Sequence, residues 1–187
     1  MASTGRLVKS PGGGCQTRPV QPRRLLLVRH AKAADGPVDV DRTLTKPGAR
    51  HAAAIGAWLA EAELVPDRVL VSPARRTVQT WEHAGAAVVP DLRPVVDARI
   101  YDNTVEALLA AIRETPEEVR ILAVVGHNPS VAELAGVLDD GQGNPAVRRD
   151  VDAGFRTGGV AVFRLATPFA AIAPRTATLD DFTVPGH

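Results

Sequence analysis

Three short stretches of the 187-residue chain carry side chains that could handle an anion. Arg29 and His30 follow the apolar run Leu25–Val28. Ser72-Pro73, with Arg75 and Arg76 one turn on, follows Val69–Val71. Gly126-His127-Asn128-Pro129 follows Ile121–Val125. A neutral imidazole is a nucleophile, and a charged one is a donor. A guanidinium presents a planar fork that matches phosphate oxygens. Two histidines and two or more arginines gathered in one crevice would suit a phosphoryl group.

The elements around these residues could gather them. Each apolar run is continuous, as expected of a strand covered on both faces in a parallel sheet. Ser72-Pro73 and Asn128-Pro129 have the form of an N-cap followed by proline at the first helical position. Between the strands, Thr45 to about Leu64 carries Ala52, Ile55, Trp58 and Leu59 near helical spacing. Asn103-Thr-Val-Glu106 has the form of a capping box ahead of ALLAAI. Strand alternating with helix argues for an α/β sandwich with a mostly parallel central sheet. In such a sheet ligands bind beyond the carboxyl ends of the strands, where helix N-termini favour an anion. His30, Ser72 and His127 all fall at those ends.

Composition narrows the classes. Lys and Arg number 22 against 21 Asp and Glu, a net charge of +1. That balance gives no support for a nucleic-acid or membrane-surface protein, which would usually show a basic face or tail. A single cysteine, Cys15, excludes a disulfide framework within the chain and a cysteine-based zinc site. No run approaches the ~20 apolar residues that span a bilayer, and no apolar core follows the basic N-terminal residues as in a signal peptide. A soluble, cytoplasmic protein is expected. Residues 1–22, rich in Gly, Pro, Ser and Thr, read as a flexible N-terminal tail. Its Gly12-Gly13-Gly14 lacks the strand and Gly-Lys of a phosphate loop. Residues 23–187 read as one domain, with a loop-like stretch over 139–150 and a strand or two with turns at the end.

Taken together, Arg29-His30 after a first strand, Ser72, Arg76 and Thr80 in a Ser-x-x-x-Arg-x-x-x-Thr pattern after a second, and Gly126-His127 after a late strand resemble the histidine phosphatase superfamily. The resemblance covers roughly residues 24 to 165. Asp41-Arg42-Thr43-Leu44-Thr45 and SPARRTVQT are most similar to the SixA-type phosphohistidine phosphatases. One departure is that the family's usual Arg-His-Gly reads Arg-His-Ala, with Ala31 in the third place. The resemblance implies a three-layer, phosphoglycerate-mutase-like sandwich. It implies His30 as a nucleophile that becomes phosphorylated, and His127 as a charge-stabilising donor. Arg29 and Arg76 would clamp the phosphoryl oxygens, and Ser72 and Asn128 would support substrate binding. No metal or other cofactor is expected, since no cluster has ligand spacing such as HExxH.

Other residues have plainer expected roles. Arg75 reads as a solvated helix residue, His51 and His83 as surface residues of helices, and Trp58 and Trp81 as packing residues. The general acid is open: Asp35, Asp39, Asp41, Asp97 and Asp102 are all candidates, none in a clean motif. A missing acid favours a phosphohistidine substrate, because an imidazole with a pKa of about 6.5 leaves far more easily than an alkoxide. A phosphorylated protein is therefore the expected partner. A small phosphate ester is the alternative, and a non-catalytic phosphate-binding module is a further one.

Overall fold

The structure is a computed structural model that describes residues 22–186. The tail expectation for residues 1–22 falls, Pro22 aside, outside the described residues, as does His187. Six strands form one sheet: β1 (Arg23–Arg29), β2 (Arg68–Val71), β3 (Val95–Val96), β4 (Ile121–Gly126), β5 (Val160–Leu165) and β6 (Ala177–Thr183). Their order is β3-β2-β4-β1-β5-β6. The pairs β3/β2, β2/β4 and β4/β1 are parallel, while β5 runs antiparallel to both β1 and β6. Only β5 is reversed, so the sheet is mixed but mostly parallel.

Side chains alternate between the two faces of the strands. Leu26, Val28, Val69, Val71, Ala123 and Val125 pack against Ile55, Leu59, Trp81 and Ala84. These last four belong to α1 (Lys46–Glu61) and α2 (Arg75–Val88). The opposite face, with Leu25, Leu27, Leu70, Leu122 and Val124, packs against Leu108, Ile112, Val131 and Leu134. Those lie on α3 (Val105–Arg113) and α4 (Ser130–Leu138). The three layers are thus helix, sheet, helix, the phosphoglycerate-mutase-like α/β sandwich expected. Trp58 and Trp81 pack in the first of these cores. His83 is exposed as expected, but His51 is buried, on the side of α1 that meets Gly158.

Several local expectations need correcting. Residues 139–150 are not all loop: α5 (Pro145–Asp152) starts there, capped by Asn144, whose side chain accepts from the Ala146 N–H at 2.9 Å. The cap of α3 is Thr104, one residue after Asn103, which instead takes a left-handed backbone (φ 58°). Ser72 and Asn128 are not N-caps of α2 and α4: Ala74 and Pro129 hold those positions. Both side chains are committed elsewhere, as the site shows.

The α1–α2 contact rests on a glycine. A Cβ at Gly56 would lie 2.0 Å from the Ala84 carbonyl oxygen, which belongs to backbone and cannot swing aside. Gly136, on α4, would meet nothing within 4 Å. Gly56→Ala is therefore expected to destabilise the fold by about 1–3 kcal/mol, the usual cost of overpacking. Gly136→Ala should be neutral or stabilising by up to about 1 kcal/mol, the helix-propensity gain. Urea denaturation of both variants checks this. Equal midpoints would show that the helices part without cost.

Candidate active site

The β1/β4 register sets Arg29 opposite Gly126, and the His30 N–H donates to the Gly126 carbonyl at 3.1 Å. The residues that follow the two strands, His30 and His127, therefore emerge side by side, with ring centroids 5.3 Å apart. They line a cavity of about 550 Å³ with Arg29, Arg76, Asn128, Lys32, Arg42, Asp39, Tyr101 and Asn103. Five of the six residues singled out from sequence meet here. Ser72 does not line the cavity. It is fully buried behind His127 and bonds that ring's Nε2 at 2.8 Å.

The His30 ring is fixed by its own turn. Nδ1 lies 2.7 Å from the Ala31 carbonyl, an acceptor, so Nδ1 carries the proton and Nε2 the lone pair. Burial, reinforced by Arg76 and Arg29, lowers its pKa to about 4, so the ring is neutral at pH 7. Ala31 is buried on this turn, and its N–H donates to Thr80 Oγ1 at 3.0 Å. Thr80 in turn donates to the Arg76 carbonyl at 2.6 Å. The Ser-x-x-x-Arg-x-x-x-Thr spacing thus puts three buried polar groups on one side of α2 and its lead-in. Ser72 holds His127, Arg76 faces the cavity, and Thr80 ties down the turn after β1.

His127 is held at both nitrogens. Arg76 Nη2 donates to Nδ1 at 3.2 Å. A guanidinium cannot accept, so Nδ1 is unprotonated and Nε2–H donates to Ser72 Oγ. Burial and the Arg76 charge lower this histidine's pKa to about 3. Arg76 is itself buried, whereas Arg75 is exposed and lies outside the cavity, as expected of a solvated residue. Arg29 Nη1 donates to the Phe155 carbonyl at 2.8 Å, which leaves its buried Nε without a partner among the described residues. Asn128 donates to the same carbonyl at 3.0 Å. Asn103 braces this loop, donating to the Asn128 carbonyl and accepting from the Ser130 N–H.

Of the five candidate acids, only Asp39 reaches the cavity. It accepts from Tyr101 O–H (2.8 Å), Arg42 Nη1 (3.0 Å) and Arg76 Nη2 (3.0 Å). The bonds from Tyr101 and Arg42 come first in holding its pKa down at about 2, so at neutral pH it has no proton to give. Asp97 is paired with Arg99 at 2.7 Å, and the Asp35 side chain is fully exposed. Sequence reasoning missed Arg42 and Tyr101 as cavity residues. Arg42 stood in a motif without an assigned role, and Tyr101 lay inside the stretch searched only for carboxylates. Among the described residues no group of three or more His, Cys, Asp or Glu could hold a metal ion. No helix among them is long and apolar enough to cross a membrane.

Four cations, an unprotonated imidazole nitrogen and a second imidazole line one cavity, a setting suited to an anion such as a phosphoryl group. The chain belongs to the histidine phosphatase superfamily: the model of its branch 1 matches residues 25–107. Within it the resemblance is to the SixA type, and phosphatase activity is the activity the family supports. The chain is 32% identical to phosphohistidine phosphatase SixA of Escherichia coli, over 65% of this chain and 78% of the relative. It is 37% identical to the uncharacterized protein Rv1276c of Mycobacterium tuberculosis, over 84% of this chain and 99% of that one. A solved structure, a candidate SixA phosphohistidine phosphatase of Nakamurella multipartitia, superposes with a TM-score of 0.76 at 29% identity. That match covers 91% of this chain and all of the other.

The two depressed histidine pKa values are directly testable. In a histidine-labelled NMR titration, the signals lost in His30→Ala and His127→Ala should keep neutral-imidazole shifts down to about pH 5. A midpoint near 6.5 for either cavity histidine would show that burial does not control its charge.

Proposed function

We propose that this chain is a phosphatase that works through a phosphohistidine intermediate at His30 and acts on phosphohistidine displayed on a protein. The observation that carries the reading is the locked His30 ring. Its Nδ1–H is spent on the Ala31 carbonyl, so its Nε2 lone pair is free to attack phosphorus. In the first step the His30 Nε2–P bond forms and the substrate N–P bond breaks, the electron pair going to a substrate ring that carries a proton on its other nitrogen and so leaves as neutral imidazole. Water then attacks phosphorus, the His30–P bond breaks, and inorganic phosphate leaves with a neutral His30. Arg29 and Arg76 would hold the phosphoryl oxygens through both steps. Asn128 would act through the loop it shares with Arg29, and Ser72 by holding the His127 ring. His127, expected as a donor, has its Nε2–H on Ser72 and its Nδ1 accepting from Arg76, so it would act by orienting the Arg76 guanidinium at the cavity. No metal has a part in this scheme.

The substrate class follows from the missing proton donor. Asp39, ionised, cannot protonate an alkoxide, whereas a leaving imidazole needs little help. A small phosphate ester remains the second reading, because a cavity of about 550 Å³ lies within the ~300–1,000 Å³ of small-molecule sites.

One set of assays decides. A histidine-phosphorylated protein should be turned over with a higher kcat/KM than any of a panel of alkyl phosphate esters. The reverse order would establish the ester reading. His30→Ala should form no acid-labile phosphoenzyme, and retained turnover would remove the mechanism. Arg76→Ala should slow turnover ~10²–10³-fold, as is typical for the loss of one transition-state donor, and His127→Ala should slow it in the same direction by less, through the loss of a partner that orients Arg76. The exposed Arg75→Ala should change it by less than about twofold, as surface substitutions do.

A further inference from the structure

Arg76 has no free fork. Both Nη2 hydrogens are in use, one on Asp39 Oδ2 at 3.0 Å and one on His127 Nδ1 at 3.2 Å. One Nη1 hydrogen goes to the Asp39 backbone carbonyl at 2.7 Å. A guanidinium grips a phosphoryl group bidentately either through Nη1 and Nη2 or through Nε and Nη2. Both modes need an Nη2 hydrogen. If His127 gave up its share, its bare Nδ1 lone pair would be left facing a phosphoryl oxygen. Asp39 is the partner that can leave, since its half-exposed carboxylate sits at the rim, on a one-turn 3-10 segment, Asp39–Asp41.

That carboxylate is bound as an anion ligand would be. Oδ1 accepts from Arg42, and Oδ2 accepts from Arg76 and from the hydroxyl of Tyr101. Tyr101 also places its ring edge-on to His127, at 5.8 Å. The two residues therefore connect the rim to the histidine pair. Asp39 is ionised throughout the neutral range, which keeps this competition in force there.

We propose that Asp39, held in place by Tyr101, is a built-in competitor for the phosphate site and weakens its hold on inorganic phosphate. The inference rests on the cavity being a phosphoryl site, as proposed above. Arriving substrate displaces the carboxylate with the help of contacts from the rest of its molecule. The product phosphate has no such contacts, and the carboxylate closes back on Arg76 as phosphate leaves. Asp39 is thus a specificity and release residue that never exchanges a proton or an electron pair with substrate.

Calorimetric titration with inorganic phosphate and with orthovanadate at pH 7 tests this without requiring turnover. Asp39→Asn should bind phosphate roughly two- to fivefold more tightly than the wild type, the scale of one half-exposed ion pair removed. Tyr101→Phe, which keeps the carboxylate but frees it, should shift affinity in the same direction by less. Melting temperatures measured alongside show that both variants are folded. Unchanged or weaker phosphate binding in folded Asp39→Asn would overturn the proposal and show that Asp39 orients Arg76 instead. Should that variant not fold, Tyr101→Phe decides alone, and no tightening overturns the proposal. If the wild type binds phosphate and neither variant binds it more tightly, only the competitor fails. If none of the three proteins binds it, the phosphate-site reading fails as well.

Discussion

The whole site depends on the register of two parallel strands. Because Arg29 pairs with Gly126, the next residue on each strand is a histidine, and the two rings arrive together. Side chains alternate along a strand, so a slip of one residue would exchange the faces of Leu25 to Val28 and carry Arg24 or Arg29 into a position that is now apolar. The two cores on opposite sides of β1 prevent that slip. Hydrophobic burial, the strongest force in the fold, thereby sets the polar geometry of the site.

Around that pair, the polar contacts form a supporting ring in which most donors and acceptors have a fixed partner. Ala31 accepts from His30 and donates to Thr80, and Ser72 receives His127. Asn103, in its left-handed backbone, carries the loop of Asn128 from the other side. These partners sit in a partly dehydrated setting where each bond orients more firmly than it would in water. Burial and the nearby arginines keep both imidazoles neutral, so the positive charge of the cavity resides on guanidinium groups and Lys32 rather than on the rings.

Much of this was legible in the chain. Continuous apolar runs marked three of the parallel strands, and His30 and His127, just beyond two of them, line the cavity, while Ser72, beyond the third, lies behind His127. What the runs could not show was direction: Val160–Phe163 is as apolar as Leu25–Val28, yet β5 is reversed. Capping chemistry was legible only with its surroundings. Asn144-Pro145 and Asn128-Pro129 look alike in sequence, and only the first caps a helix. The second asparagine donates to the Phe155 carbonyl, a partner 27 residues away that local pattern cannot reveal. Tyr101 was invisible for a similar reason, since its meaning comes from Asp39, 62 residues distant. The Arg-His-Ala departure leaves the methyl of Ala31 buried and its N–H on Thr80.

Tyr101 is the chain's single tyrosine, and it stands at the cavity rim with its hydroxyl on a carboxylate. The protein therefore comes with one phenol chromophore at the position where an anion would exchange places with Asp39. Both tryptophans lie in the opposite wall of the sandwich, on α1 and α2. Biosynthetic incorporation of fluorotyrosine would give one fluorine resonance, with no assignment problem. Its frequency would follow the occupancy of the rim in solution, so the chain's sparse aromatic content makes the cavity optically and magnetically addressable without a foreign label at a new position.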